Sequence, residues 1–152
     1  MLDVGDRLPD LTLSDHTGED VSLGDVGKAV LFFYPKAMTP GCTTEACDFR
    51  DRYERLQAAG YDVFGVSPDA PGYNAKFVDK ESLVFRLLSD EDHAFAEAVG
   101  AWGEKKNYGK VYEGLIRSTF VTDESGAITH AFRNVRAKGH AARVASEIGL
   151  DD

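Results

Sequence analysis

Cysteine, tryptophan and methionine are scarce in this chain: its 152 residues include two cysteines, one tryptophan and two methionines. Two cysteines without a secretory signal are too few for a stabilising disulfide framework, and catalytic or redox-sensing thiols are the better reading. Basic charge is also short. Seventeen Lys and Arg against 26 acids leave a formal charge of −9, which argues against a nucleic-acid backbone or an anionic membrane as the main partner. Sixteen of the acids are Asp, compatible with a saline host but first of all an ordinary solvated surface. No stretch approaches the ~18 consecutive apolar residues of a membrane span. Met1-Leu2-Asp3 is not a basic segment leading into an apolar run, so a soluble, cytoplasmic protein is expected. His16, His93, His130 and His140 lack ligand spacing, so exposed or capping histidines are expected and no metal site. Repeats, low-complexity tracts and linkers are absent, and with 43% hydrophobic content one domain over residues 1–152 is expected.

What the chain does have is a strong strand-to-helix stretch, VLFFYPKAMTPGCTTEACDFR, from Val30 to Arg50, which holds both Cys42 and Cys47. The run Val30 to Tyr34 is continuous, β-branched and aromatic, as a buried strand is, and Pro35 closes it because it cannot continue a ladder. Thr39 suits the N-cap of a following helix and Pro40 its first position, where the missing N–H has no partner to lose. Cys42 then occupies the third helical position. Free backbone N–H groups and the positive end of the helix dipole favour a thiolate there, which makes Cys42 the candidate nucleophile. The helix is expected over about Pro40 to Ala59, with Cys42, Ala46, Phe49, Tyr53 and Leu56 on one inward stripe and Gly60 ending it.

The remaining elements are expected in the following order. An N-terminal hairpin is carried by Leu11, Leu13, Val21 and Leu23. Strand 62–67, closed by Pro68, lies parallel to strand 29–34 in a βαβ unit. A helix spans about 71–80 and a strand about 84–88, and Asp90 caps a helix with Phe95 and Val99. Gly100 to Gly114 is expected as a long irregular loop with Trp102, Tyr108 and Tyr112 as ordered anchors. A hairpin over 118–132 and a last helix over about 139–148 complete the chain. This order is that of a thioredoxin-like α/β sandwich, a central mixed sheet flanked by helices, with an extra N-terminal hairpin. Fold alone gives no function.

The cysteine spacing carries more information. Five residues apart on an intact helix, Cys42 and Cys47 have Cα atoms roughly 8.6 Å apart, whereas a disulfide needs less than about 7 Å. A bridge between them requires the first turns to unwind, which suits a switch better than a staple. The matching chemistry is oxidation of Cys42 by a peroxide to a sulfenic acid, followed by attack of Cys47 on that sulfur. Breaking a peroxide O–O bond needs donors: the Thr39 hydroxyl, the Gly41 and Cys42 N–H groups, and a guanidinium from elsewhere. Arg117, just before strand 118–122, is placed to supply it, and Glu45 is a candidate for holding that arginine. Two other readings stay open: a thiol-disulfide oxidoreductase, and a non-enzymatic peroxide sensor.

At these residues the chain resembles the peroxiredoxins, in particular the PrxQ or bacterioferritin comigratory protein group. The motif Pro35-x-x-x-Thr39-x-x-Cys42, the longer FYPKAMTPGCTTEAC from Phe33 to Cys47, Gly114 to Phe120 around Arg117, and Lys138-Gly139-His140 carry the resemblance. One departure is Ala37, where many members have Asp. The resemblance implies a peroxidatic Cys42, a resolving Cys47, and Pro35, Thr39 and Arg117 as the surrounding shell. It further implies reduction of hydrogen peroxide and organic hydroperoxides, recycling by thioredoxin or a similar dithiol protein, and no metal, haem or flavin cofactor. Family members include monomers and dimers, so a monomer or weak homodimer is expected.

Overall fold

A computed structural model describes residues 1–150. The elements are β1 (Thr12–Asp15), β2 (Asp20–Ser22), β3 (Ala29–Phe33), α1 (Pro40–Ala58), β4 (Asp62–Ser67), α2 (Pro71–Glu81), β5 (Arg86–Ser89), α3 (Ala94–Val99), β6 (Trp102–Asn107), β7 (Lys110–Leu115), β8 (Ser118–Thr122), β9 (Ile128–Phe132) and α4 (His140–Glu147). Seven strands form one mixed sheet in the order β2-β1-β5-β4-β3-β8-β9, with β3, β4 and β5 parallel and the other pairings antiparallel. The expected thioredoxin-like sandwich and its N-terminal hairpin are both present, the hairpin forming one edge of the sheet.

Every residue of β3 is buried, because a central strand covered on both faces has no solvent side. Its alternate side chains build two cores. Leu31 and Phe33 join Val66, Phe95, Val99 and Phe120 on the α3 face, while Val30 and Phe32 join Phe49, Leu56, Phe77 and Val144 beneath α1, α2 and α4. The second core seats the helix that carries the cysteines: the Phe32 and Phe49 rings stack with centroids 4.7 Å apart. Gly65 makes room for this. A Cβ there would lie 2.6 Å from Leu87 Cδ2 and 3.0 Å from Phe32 Cζ, so a side chain would displace the ring on which α1 rests.

Three expectations are corrected. Gly100 to Gly114 is not an irregular loop but a two-stranded ribbon, β6 paired with β7, turning at Tyr108 and Gly109, both at positive φ. Its strands face water on both sides for most of their length, so they lack the one-sided apolar alternation by which a strand is recognised. Trp102 is anchored, stacked on His93 at 3.8 Å, but Tyr108 is 98% exposed and Tyr112 44%, so neither is an anchor. Strand β5 starts at Arg86 instead of Val84, which points into solvent. Among the histidines His140 is neither exposed nor a cap: it is buried, with its Nε2 sharing a 2.7 Å hydrogen bond with Thr119 Oγ1 and its ring edge-on to Phe49 and Phe132. Asp90 does cap α3, accepting the N–H groups of Phe95 and Ala96.

Burial, reinforced by the charges of Arg143 and Arg117, lowers the His140 pKa from 6.5 to about 4. Between these values the unfolded chain binds the proton that the folded chain refuses, so the stability contributed by a neutral His140 is lost as pH falls through this window. Denaturant titrations should show His140→Gln flattening the acid side of the stability profile by about 3 kcal/mol between the two pKa values. An unchanged slope from about pH 6.5 to about pH 4 would show that the buried ring does not resist protonation.

Candidate active site

Strands β3 and β4 run parallel and in register, and the proline after each turns the chain at the same end of the sheet. The two turns are tied together. The Ala37 N–H donates to Asp69 Oδ2 at 2.8 Å, and Ser67 Oγ donates to the same carboxylate at 3.0 Å. Met38 takes a positive φ of 65°, and α1 then starts at Pro40. Thr39 holds the N-cap position, but its hydroxyl donates back to the Lys36 carbonyl at 2.8 Å and does not cap the helix. The left-handed turn at Met38 brings that carbonyl under it.

This places Cys42 in the first turn of α1, fully buried. Arg117, 75 positions on in sequence, immediately precedes β8, whose pairing with β3 brings it to the same end of the sheet. The Arg117 carbonyl accepts the Val135 N–H, which fixes its backbone. Its guanidinium reaches both ends of the first helical turn: Nη2 donates to Cys42 Sγ at 3.3 Å and Nη1 to Glu45 Oε1 at 2.7 Å. Gly41 lies beside the guanidinium, where a Cβ would be in van der Waals contact with Nη2 at 3.4 Å. Pro35 and Arg117 line a cleft of ≈ 470 Å³ with Lys105, Ile116, Asn134 and Val135. Thus Pro35, Thr39, Gly41, Cys42, Glu45 and Arg117 come together, and Cys47 stands apart.

The electrostatics follow from burial. Glu45 is fully buried, and among the described residues its Oε2 has no hydrogen-bond partner. Desolvation raises its pKa to about 7, although Arg117 opposes the rise. Burial also works against the Arg117 charge, but Glu45 and Cys42 outweigh it and hold its pKa above the usual value. Lys105 sits nearby, its Nζ donating to the Leu115 carbonyl at 2.8 Å, with its pKa lowered by burial and by Arg117. A sulfur with a charged donor 3.3 Å away is a better hydrogen-bond acceptor as the anion than as the thiol.

Cys47 lies a turn deeper on α1, half-buried against the end of α2, and both cysteines are free thiols. Among the described residues no group of His, Cys, Asp and Glu has the geometry of a metal site, and no helix is long and apolar enough to cross a membrane. Asp69 and Lys105 were not among the sequence-derived candidates. Asp69 follows Pro68 at the level where Pro35 closes the parallel neighbour, and that coincidence is the signal that would have found it. Lys105 depends on the ribbon, which the sequence pattern conceals.

The chain matches the AhpC/TSA family over residues 4–131. It is 48% identical over 143 residues to the peroxiredoxin Bcp of Bacillus subtilis, covering 93% of this chain and 91% of that one. Identity to the Escherichia coli Bcp is 48% over 141 residues, with 91% and 90% covered. Among solved structures, the bacterioferritin comigratory protein of Xanthomonas campestris, studied for its alkyl peroxide reduction, superposes with a TM-score of 0.88 at 36% identity, covering 96% of this chain and 97% of that one. A cysteine-to-serine variant of Xylella fastidiosa PrxQ gives 0.90 at 30% identity, covering 97% and 96%. A buried cysteine at a helix start, an arginine on its sulfur, and these matches over nearly the whole length agree: the chain belongs to the AhpC/TSA family, among the Bcp/PrxQ peroxiredoxins.

Proposed function

We propose that this protein is a thiol peroxidase that reduces hydrogen peroxide and organic hydroperoxides, with Cys42 as the peroxidatic and Cys47 as the resolving residue. The observation that carries the reading is the single guanidinium of Arg117 spanning Cys42 Sγ and Glu45 Oε1. The Cys42 thiolate attacks one peroxide oxygen. An S–O bond forms, the O–O bond breaks, and the departing hydroxide or alkoxide takes a proton to leave as water or alcohol. Negative charge grows on that oxygen, and Arg117 together with the first-turn N–H groups of Gly41 and Cys42, which have no intrahelical acceptor, offers donors to it. Thr39, its proton committed to Lys36, keeps lone pairs to accept the peroxide hydrogen. Pro35 walls the cleft against water.

Cys47 then attacks the Cys42 sulfenic acid: an S–S bond forms, the S–O bond breaks, and water leaves with the Cys47 proton. A dithiol protein of the thioredoxin kind returns two electrons and two protons to regenerate both thiols. The kinship with bacterial Bcp proteins supports this cycle, and we place it in the cytoplasm, in a monomer or weak homodimer. Glu45 positions Arg117.

Peroxide consumption with a dithiol reductant tests the assignment. Cys42→Ser should abolish turnover. Cys47→Ser should still be oxidised once by peroxide, at Cys42, but should fail to form the intrachain disulfide. Full activity in Cys42→Ser overturns the reading, disulfide exchange with little peroxide consumption favours an oxidoreductase, and one oxidation without turnover favours a sensor.

Glu45→Gln, which keeps length but removes charge, should lower kcat/KM for peroxide about tenfold, the scale of one charge-assisted hydrogen bond. It should also remove a stability slope. A carboxyl raised to about 7 binds its proton more tightly in the folded chain, so its contribution to stability falls as pH rises from about 4.5 to about 7. His140 contributes the opposite slope over much of that range, so the single variants separate the two groups. Unaltered turnover and an unaltered slope in Glu45→Gln would remove Glu45 from the account.

A further inference from the structure

The resolving thiol has surroundings of its own, which the peroxide chemistry leaves unused. Cys47 Sγ lies 4.0 Å from Glu81 Oε1, its hydrogen-bond acceptor, on the last residue of α2. The same residue is gripped a second time: Arg50, one turn along α1 from Cys47, donates Nη1 to the Glu81 carbonyl oxygen at 2.6 Å. That carbonyl belongs to the last turn of α2, where carbonyls have no intrahelical donor and the negative end of the dipole favours a cation. Ser82 follows in the left-handed conformation and ends the helix. Arg50 is steadied from the other side by Asp51, 3.1 Å from its Nε. Cys47, Arg50 and Glu81 therefore form a clasp between α1 and α2, of which the Cys47 arm requires the early turns of α1 to be wound.

The charges facing Cys47 are Asp48, Arg50 and Asp51 from α1 and Glu81 from α2. Burial raises the Cys47 pKa most, and Glu81, Asp51 and Asp48 add to the rise against the opposing effect of Arg50. Among these groups Glu81 is the carboxylate in hydrogen-bond reach of the sulfur and the one on a different element. Unwinding of the turns before Phe49 separates Cys47 from it, whereas Asp48 is next to Cys47 in the chain and moves with it.

We propose that Glu81 is a positioning residue that holds Cys47 as an inert thiol on the wound helix, so that Cys47 becomes a nucleophile when α1 unwinds. This deepens the peroxidase reading and rests on Cys47 as the resolving residue. It confines peroxide oxidation to Cys42 and times the second step: S–S bond formation, S–O cleavage and loss of water follow once the clasp has opened. Glu81 takes no part as a base, since a carboxylate is too weak an acceptor for a thiol proton.

The test uses the full chain carrying Cys42→Ser, so that Cys47 is the sole thiol, and measures its alkylation by iodoacetamide between about pH 7 and about pH 10. Adding Glu81→Gln should speed alkylation at the neutral end about fivefold, the effect of two unit charges 4.0 Å apart in bulk water, and leave the alkaline plateau in place. Arg50→Gln, which removes the cation, should not speed it. A Glu81→Gln profile that coincides with its parent overturns the proposal, and a slower one makes Glu81 a base instead. Equal acceleration by both variants across the whole range, plateau included, attributes the effect to loosened packing and also overturns it. None of these outcomes depends on peroxide turnover. If the native chain shows no oxidation at Cys42, the peroxidase reading fails and the alkylation result still stands.

Discussion

One guanidinium joins the two halves of this structure. Arg117 comes from the antiparallel half of the sheet and Cys42 from the parallel half, and their 3.3 Å contact depends on β3 pairing with β8 on one side and β4 on the other. Glu45 completes the arrangement from one turn further along α1, so a single arginine spans the nucleophile and its own support. A buried carboxylate of this kind is costly when unpaired. Removing Arg117 would strip the donor from the sulfur and leave Glu45 uncompensated, which ties the integrity of the first helical turn to the chemistry.

The same turn carries a contradiction that the reaction must resolve. Wound, α1 presents Cys42 to Arg117 and keeps Cys47 roughly 8.6 Å away by helix geometry. Joined, the cysteines need the turn undone. The packing indicates where unwinding stops. Phe49 is fully buried and stacked on Phe32, and exposing a phenylalanine forfeits about 1.5–3 kcal/mol. Its side chain is the natural hinge. Amides bond to the carbonyl four residues back, so unwinding the residues before Phe49 releases the amides of 43–49 even with the Phe49 ring in place.

Much of the fold was legible because its punctuation is strong. Pro35, Pro68 and Gly60 mark element ends where the structure has them, and β3, buried on both faces, has no periodicity to misread. The ribbon was missed because a strand pair wetted on both faces has no apolar side. His140, expected with the other histidines to be exposed or capping, gives no local sign of burial, yet its ring packs edge-on against both Phe49 and Phe132. At the site, Cys42 was legible from local signals, since Thr39-Pro40 marks the helix start that sets its environment. Arg117 was legible as a strand-mouth arginine and through the family motif, but its distance to the sulfur belongs to the tertiary fold. Thr39 was placed correctly and bonded differently, because the positive φ of Met38 redirects its hydroxyl. Glu81 left no local signal, since its contact with Cys47 arises from two helices packing side by side.

The central claim is that the start of α1 is a moving part, wound to arm Cys42 and unwound to let Cys47 reach it. Hydrogen exchange of the amides from Thr43 to Phe49, compared between the dithiol and intrachain-disulfide forms of the chain, tests it most directly. Those amides should be protected in the dithiol form and lose that protection in the disulfide form, while the later turns of α1 stay protected in both. Equal protection of residues 43–49 in the two forms would contradict the account.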